Sequence, residues 1–348
     1  MLLSELGPKA LQGATAAKGL SSRARPGSLS VRDVEHPVAD HNGLMQVFVT
    51  GGGRGFIAGH VVHALERAGH DVRCEWVDVR DAAGLQRSVR DCEAVVHVAA
   101  LYSYTASASE IEAVNVGGTR NVIAACLGAN VRRLVLTSSA GTCGPVAGRA
   151  ATEEDGPPRW ELEVPYKRTK LEAERLVLAA AAEGLETLCV NPTTPIGEGD
   201  DAPTPTGRMV RGVASGRYRA TLRSGGLNLV DVHDVARGHV LALERGGVGE
   251  RYILGGTNLT LTEVFELIAR AARRRPPHIR VPYAAAQALA LVRLANAHEV
   301  ALARLPAWFS SAKAQRELGY EPAAIEPAVE RAVKLLVPGR RGADVSAT

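Results

Sequence analysis

Aromatic residues are scarce: Phe, Trp and Tyr make up 4% of the 348 residues. That leaves little with which to stack a large planar ligand, and Ala, Val and Leu must fill most of a core drawn from 46% apolar residues. An excess of one charge is missing too. With 41 basic and 37 acidic residues the formal charge is +4, which argues against nucleic acid as a partner, since such surfaces concentrate Lys and Arg. The densest basic run, Arg273-Arg274-Arg275 before Pro276-Pro277, reads as a solvated helix end. No apolar run reaches the roughly 20 residues of a membrane span; the longest candidate, Val281 to Val292, is Ala-rich and stops at Arg293. Cys74, Cys92, Cys126, Cys143 and Cys189 form no CxxC, and no histidine stands at metal-ligand spacing. A metal is therefore not expected. Four of these thiols lie in or beside apolar segments, where free cysteine acts as a small hydrophobe. With no apolar secretory core at the N-terminus, a reducing cytoplasm is the expected setting.

Glycine, in contrast, is plentiful at 36 residues. Residues 1–44 alternate small and breaker residues without an apolar period and read as a flexible extension. A short helix at Ala10–Leu20 covering a neighbour is the alternative, and Met45 is a candidate start. From Gln46 the rhythm is strand, glycine turn, helix. Strands are predicted at Val47–Thr50, Val72–Val79, Ala94–Val98, Leu134–Thr137, Leu188–Val190 and Arg251–Leu254. Helices are predicted between them, at Ile57–Ala68, Asp81–Val89, Ser109–Leu127, Lys167–Glu183 and Asp234–Glu244. This alternation predicts an α/β fold: a Rossmann-like parallel sheet with helices on both faces. The expected divisions are a nucleotide-binding core over 45–191 and a smaller, mainly helical substrate lobe over 192–336, interleaved with returning core segments at 228–256. A flexible tail is expected over 337–348.

The run Thr50-Gly51-Gly52-Gly53-Arg54-Gly55-Phe56-Ile57-Ala58-Gly59 leaves a strand and opens a helix. In the GxxGxxA reading, Gly52 permits the tight turn, Gly55 lets backbone approach a pyrophosphate, and Ala58 keeps helix and sheet close. The helix N-terminus offers free N–H groups to the phosphates. The next unit is short. Asp71 to Asp81 holds no turn and no helix, whereas parallel neighbours need a crossover of about a dozen residues. The second βα unit is therefore expected to be shortened. Glu75 is the candidate for the adenosine ribose hydroxyls, while Arg73 or Arg54 could instead meet a 2′-phosphate, and these residues leave NAD and NADP both open.

Ser139 follows a predicted strand, at the end where open α/β sheets place ligands. Tyr166 and Lys170, four apart on a helix, share one face. A phenol is a weak base at its ordinary pKa of about 10, and a nearby ammonium favours its ionised form. Ser139 can hold a substrate oxygen while Tyr166 exchanges the proton, and Lys170 can also hold the nicotinamide ribose. The combination points to hydride transfer at an alcohol or ketone carbon.

With these motifs the chain resembles the extended short-chain dehydrogenase/reductase superfamily, and within it the NAD-dependent epimerase/dehydratases. The nearest resemblance is to dihydroflavonol-reductase-like and hopanoid-associated sugar epimerase proteins. The marks are Thr50-Gly51 with Gly55-Phe56-Ile57, Asp78-Val79-Arg80-Asp81, His97-Val98-Ala99-Ala100, Asn115-Val116-Gly117-Gly118-Thr119, Thr137 to Thr142, Tyr166 with Lys170, and Asn191-Pro192. Thr194 to Gly197, Pro203 to Arg208 and Tyr252 to Gly256 carry the hopanoid-group likeness. The resemblance implies catalytic Ser139, Tyr166 and Lys170, with Asn115 supporting the proton path. It implies Asp78 near adenine, Ala99 and Ala100 lining the cofactor cleft, and further cofactor positions at Phe56, Ile57, Val79 and Asn191. It also implies a homodimer and, together with Glu75, favours NAD over NADP without excluding NADP. The glycine turn carries one residue more than the usual TGxxGF pattern, which together with the shortened unit puts the adenosine side in question.

On the substrate side, Arg208, Arg211, Arg217, Arg219 and Arg223 are expected to face the cleft, where guanidinium could pair with a carboxylate or phosphate. Tyr102, Tyr104 and Trp308 are the aromatics available for stacking. His233 reads as structural and Asp234 as a helix cap. The leading expectation is an NAD(P)-dependent ketoreductase or epimerase acting on a small oxygenated metabolite, with a sugar among the candidates. A cofactor-retaining or cofactor-free isomerase or cyclase, and a non-catalytic binding protein, are the alternatives.

Overall fold

In the computed structural model the described residues are 44–103, 106–201, 204–292 and 297–336. The expected extension, apart from Leu44, and the expected tail lie outside them, as do Tyr104 and Pro203. The first half runs β1 (Gln46–Val49), α1 (Phe56–Arg67), β2 (Asp71–Arg73), α2 (Ala82–Ser88), β3 (Ala94–His97), α3 (Ala108–Glu112), α4 (Gly118–Gly128), β4 (Arg133–Thr137), α5 (Pro165–Ala179) and β5 (Glu186–Pro192). There follow β6 (Thr194–Ile196), α6 (Pro205–Ala214), β7 (Ala220–Leu222), β8 (Gly226–Asp231), α7 (Val232–Arg245), β9 (Arg251–Leu254), β10 (Thr257–Thr260) and α8 (Leu261–Ala271). The chain closes with β11 (Ile279–Val281), α9 (Tyr283–Leu291), α10 (Ala297–Leu302), β12 (Pro306–Ala307), α11 (Ala312–Leu318) and α12 (Glu326–Leu336).

Six parallel strands form the main sheet in the order β2-β1-β3-β4-β5-β9. Successive strand residues face opposite sides. Val47 and Val49 join Val61, Leu65 and Leu243 on one face, whereas Phe48 joins Leu85, Val122 and Val177 on the other. Both faces are covered, so the strands read as unbroken apolar runs. Four cysteines are buried and Cys74 is partly so, all with free thiols. Burial pushes the Cys126 and Cys143 thiols up to about 12, which makes them packing groups.

The shortened unit is present as expected. β2 is a three-residue edge strand, and residues 74–78 continue without regular structure towards α2. The extended segment therefore ends at Arg73, short of the predicted Val79. The predicted helix Ser109–Leu127 is three pieces, because a π-helical turn at Ala113–Gly117 separates α3 from α4. Such single wide turns recur at functional sites, and this one carries Asn115.

The second lobe packs α6, α8 and α12 against one another around Met209, Val213, Phe265 and Val329. It also holds a small sheet of β10, β8, β12 and β6, and a β7–β11 pair. Of the segment expected to return to the core, α7 and β9 do so, while β8 belongs to the lobe's own sheet. Ala314, Leu318 and Tyr320, around α11, also return to the main core. These crossings bring the lobe over the C-terminal ends of the main strands.

Candidate active site

Three consecutive glycines shape the turn after β1. Gly51, Gly52 and Gly53 all have positive φ, at 95°, 64° and 62°. The reversal is thus spread over three residues instead of resting on Gly52, which accommodates the additional residue. At Gly52 the space is also closed, since a Cβ there would lie 2.9 Å from Trp76 Cβ. Gly55 is the N-cap of α1, and Ala58 is buried behind it. Arg54 is exposed at the tip. The loop therefore presents backbone and a helix N-terminus, as a pyrophosphate requires.

The loop is tied to the neighbouring strand through Thr50. Its Oγ1 accepts from the amides of Val98 and Ala99, both at 3.0 Å, and lies 2.9 Å from His97 Nδ1. With both lone pairs taken, the Thr50 hydroxyl must donate to Nδ1. His97 then carries its proton on Nε2, 3.2 Å from Thr119 Oγ1, which donates in turn to the Asn115 carbonyl at 2.6 Å. Burial holds His97 down to about 3, so it stays neutral. Asn115 Oδ1 accepts from Leu101 N at 2.7 Å, and its amide donates to Thr169 Oγ1 at 3.1 Å. A single chain of bonds thus joins glycine loop, β3, π turn and α5. The motif residues Thr50, His97 and Thr119 were visible in the sequence; their connection was not, because it spans three elements.

Ser139 caps a short turn at Ala140–Thr142, its Oγ accepting from Gly141 N at 3.1 Å. Burial raises the Tyr166 phenol well above its ordinary value, with Tyr102 adding to the rise and the nearby Ser139 hydroxyl opposing it. Lys170 is buried and donates to the Thr137 carbonyl at 2.6 Å; burial lowers its ammonium to about 8. The sequence expectation that the ammonium would govern the phenol is corrected here: desolvation dominates, and Tyr166 is a protonated acid at neutral pH. The Tyr102 ring lies 4.5 Å from that of Tyr166.

Ser139 and Tyr166, but not the buried Lys170, open onto a cavity of about 290 Å³ that runs from Phe56 and Ile57 at the head of α1 into the second lobe. Its lobe walls are apolar, with Met209, Leu222, Leu227, Leu261, Phe265 and Phe309 prominent. Ser138 also lines it, and its Oγ is buried without a hydrogen-bond partner. That orphaned hydroxyl and the glycine-lined turn fit a dinucleotide laid across the strand ends.

Several expected residues sit elsewhere. Arg208, Arg211, Arg217, Arg219 and Arg223 are all exposed and none lines the cavity. α6 turns Met209, Val210 and Val213 inward, so its arginines point to solvent. Asn191 is fully buried beneath the Ser139 turn, where its amide serves Ser139 O, Thr142 Oγ1 and Glu174 Oε2. It braces that turn and is not among the cavity-lining residues. The Arg73 guanidinium donates to the carbonyls of Ser88 and Arg90, which holds it away from any ribose. Glu75 is exposed two residues past β2. The Arg80 guanidinium on Asp78 holds that carboxyl down at about 2. Val79 is packed against Gly118, while Ala99 and Ala100 are at least partly accessible beside the loop. Trp308 is committed to the Leu259 carbonyl and lies outside the cavity lining. The cap of α7 is Asp231, whose side chain accepts from His233 N; Asp234 instead bonds Ala323 N and Arg237.

Among the described residues one cluster could hold a metal ion, formed by His60, Glu198 and His233. Spacing along the chain could not reveal it. His233 Nε2 is 2.7 Å from Glu198 Oε1, and Arg331 donates to the other Glu198 oxygen at 2.7 Å. Glu198 and His233 are thus engaged, and with Arg331 they work as a hydrogen-bonded clasp between loop and helices.

Residues 47–255 match the NAD dependent epimerase/dehydratase family. A Synechocystis protein named for dihydroflavonol 4-reductase is 32% identical, over 86% of this chain and 96% of its own length. The sterol demethylase protein B of Methylococcus capsulatus is 30% identical, over 78% and 84% respectively. A solved nucleoside-diphosphate-sugar epimerase from Pseudomonas aeruginosa superposes with a TM-score of 0.71 at 28% identity, covering 83% of this chain and 96% of that one. No helix among the described residues is long and apolar enough to cross a membrane. The chain belongs to the NAD-dependent epimerase/dehydratase family, enzymes that use a nicotinamide cofactor on a Rossmann sheet.

Proposed function

We propose that this enzyme is an NAD(P)-dependent oxidoreductase that interconverts a ketone and a secondary alcohol carried on a largely apolar molecule. The observation that carries the reading is the cavity: Ser139 and Tyr166 open into walls of Leu, Met and Phe, with the five candidate arginines outside it. A nucleotide sugar would bring a diphosphate that needs cationic or amide partners, whereas apolar walls reward the burial of hydrocarbon. Relatives named for a dihydroflavonol and for sterols are consistent with such a substrate.

The glycine loop and the head of α1 would hold the pyrophosphate, and Lys170 and Ser138 would serve its nicotinamide end. When bound, the cofactor supplies or accepts the hydride. Tyr166, protonated at neutral pH, donates its proton to the ketone oxygen in the reducing direction. Ser139 positions that oxygen through its hydroxyl, and the Gly141 amide holds the Ser139 side chain in place. Asn115, anchored at Leu101 and Thr169, sets the helix that carries Tyr166. The test is a panel of alkyl, aryl and steroid ketones beside nucleotide sugars, read at the nicotinamide absorbance with both cofactors. Turnover of the ketones supports the reading; turnover confined to nucleotide sugars overturns it.

A further inference from the structure

Two charged side chains interrupt the apolar wall. Glu161 and Lys167 both line the cavity, and no other Asp, Glu, Lys, Arg or His does so among its described lining residues. They form an ion pair in which Glu161 keeps 2% of its side-chain surface and Lys167 keeps 14%. Among the described residues each is the other's one side-chain hydrogen-bond partner. A buried pair of this kind is commonly no more stabilising than apolar residues of the same volume, so its place in the wall calls for a use. That place is close to the reacting groups. Lys167 follows Tyr166 in the chain, and a Cβ at Gly141 would stand 3.3 Å from Ser139 Oγ and 3.4 Å from Lys167 Cε.

We propose that Lys167, held by Glu161, is a second recognition point for the substrate, binding a neutral oxygen, carbonyl or hydroxyl, a few bonds from the carbon that exchanges hydride. This deepens the ketone-reductase reading and rests on it. An ammonium has three N–H donors, and Glu161 engages one. The remaining donors can serve an uncharged acceptor at the wall. A carboxylate is disfavoured there, because Glu161 already neutralises the ammonium and a further anion would be buried without its own counter-charge. Burial pushes both partners towards their neutral forms, Glu161 up and Lys167 down, in keeping with a site of low polarity.

The test uses three chain-matched ligands: an alkyl methyl ketone, the same ketone with a β-hydroxyl, and the β-keto carboxylate. Dissociation constants are measured by calorimetry on the oxidised-cofactor complex, where the ketones cannot be reduced, and the β-hydroxyl is tertiary so that it has no hydride to give. The hydroxyketone should bind about ten- to hundredfold more tightly than the plain ketone, the range of a hydrogen bond to a charged group. The carboxylate should bind more weakly than either. Glu161→Gln should bring the carboxylate ahead of the hydroxyketone, because Lys167 then lacks its counter-charge. The double variant Lys167→Met/Glu161→Leu, which removes both charges at similar volume, should erase the hydroxyl's advantage and keep the plain ketone's affinity. An unchanged ligand order in Glu161→Gln, or an undiminished hydroxyl advantage in the double variant, overturns the proposal. Equal binding of ketone and hydroxyketone to the unaltered enzyme overturns it alone. Failure of all three to bind overturns it together with the apolar-substrate reading.

Discussion

Replacing Thr50 with Val keeps the side chain's shape and deletes the oxygen on which three bonds converge. The amides of Val98 and Ala99 lose their acceptor, and His97 Nδ1 loses its donor. An unpaired buried polar group costs about 1–3 kcal/mol. His97 is 1% exposed and bears that in full, whereas the two amides are partly accessible and recover some of it from water. The expected loss is therefore about 2–4 kcal/mol, a large share of a typical domain's margin. Thr50→Ser, which restores the hydroxyl, should return most of it. Urea unfolding of the three proteins measures the differences, and calorimetric titration with NAD reads the loop. Because Thr50 fixes the strand that flanks Gly51, Thr50→Val should weaken NAD more than Thr50→Ser does. A Thr50→Val protein within about 0.5 kcal/mol of the unaltered one, the range of an indifferent surface change, would refute the reasoning.

Three further expectations follow from the site. Tyr166→Phe should lower turnover by about 10²–10⁴ while leaving NAD affinity nearly intact; full turnover in steady-state assays would remove Tyr166 from the proton path. Lys170 should lose its charge as pH rises through about 8, so NAD affinity should fall there, and Lys170→Met should flatten the profile. Stability should move the opposite way, since unfolded Lys still binds its proton up to about 10.4 and the linkage slope is positive between the two values; parallel melting scans separate the effects. For cofactor choice, Arg73 is engaged elsewhere, which leaves Glu75 against Arg54. If Glu75 reads the ribose, Glu75→Gln should narrow a preference for NAD over NADP in paired titrations. Tighter NADP binding that weakens in Arg54→Ala would assign the site to Arg54.

Much of the fold could be read from one dimension. Apolar strands separated by amphipathic helices are local patterns, and β9 falls on the residues predicted for it. The short second unit was legible because a crossover has a minimum length, and β2 is accordingly a lone edge strand. Tyr166 with Lys170 was legible because helical spacing fixes a shared face. What failed depended on tertiary partners. The arginines of α6 stand in a segment expected to face the cleft, yet the buried stripe through Met209 and Val213 turns them outward. Asn191 carries a family mark, but only the packed structure shows its amide committed to Glu174. Lys167 has no mark in the sequence beyond its place at the head of a predicted helix, and it is the turn at 159–163 that brings Glu161 to meet it. The lowering of a phenol's pKa by a neighbouring ammonium is sound in principle, but at Tyr166 burial sets the direction.

The central claim, hydride exchange with a carbonyl on an apolar substrate, is tested most directly by isotope transfer. Reduced cofactor carrying deuterium at the transferable position is incubated with an apolar ketone that the absorbance panel has shown to bind, and the product alcohol is analysed by mass spectrometry. The expected result is one deuterium on the carbinol carbon in a single stereochemical sense, with the signal reduced in Tyr166→Phe in proportion to its turnover. Ketone recovered without deuterium, under conditions where the same protein transfers the label to or from a nucleotide sugar, would contradict the account.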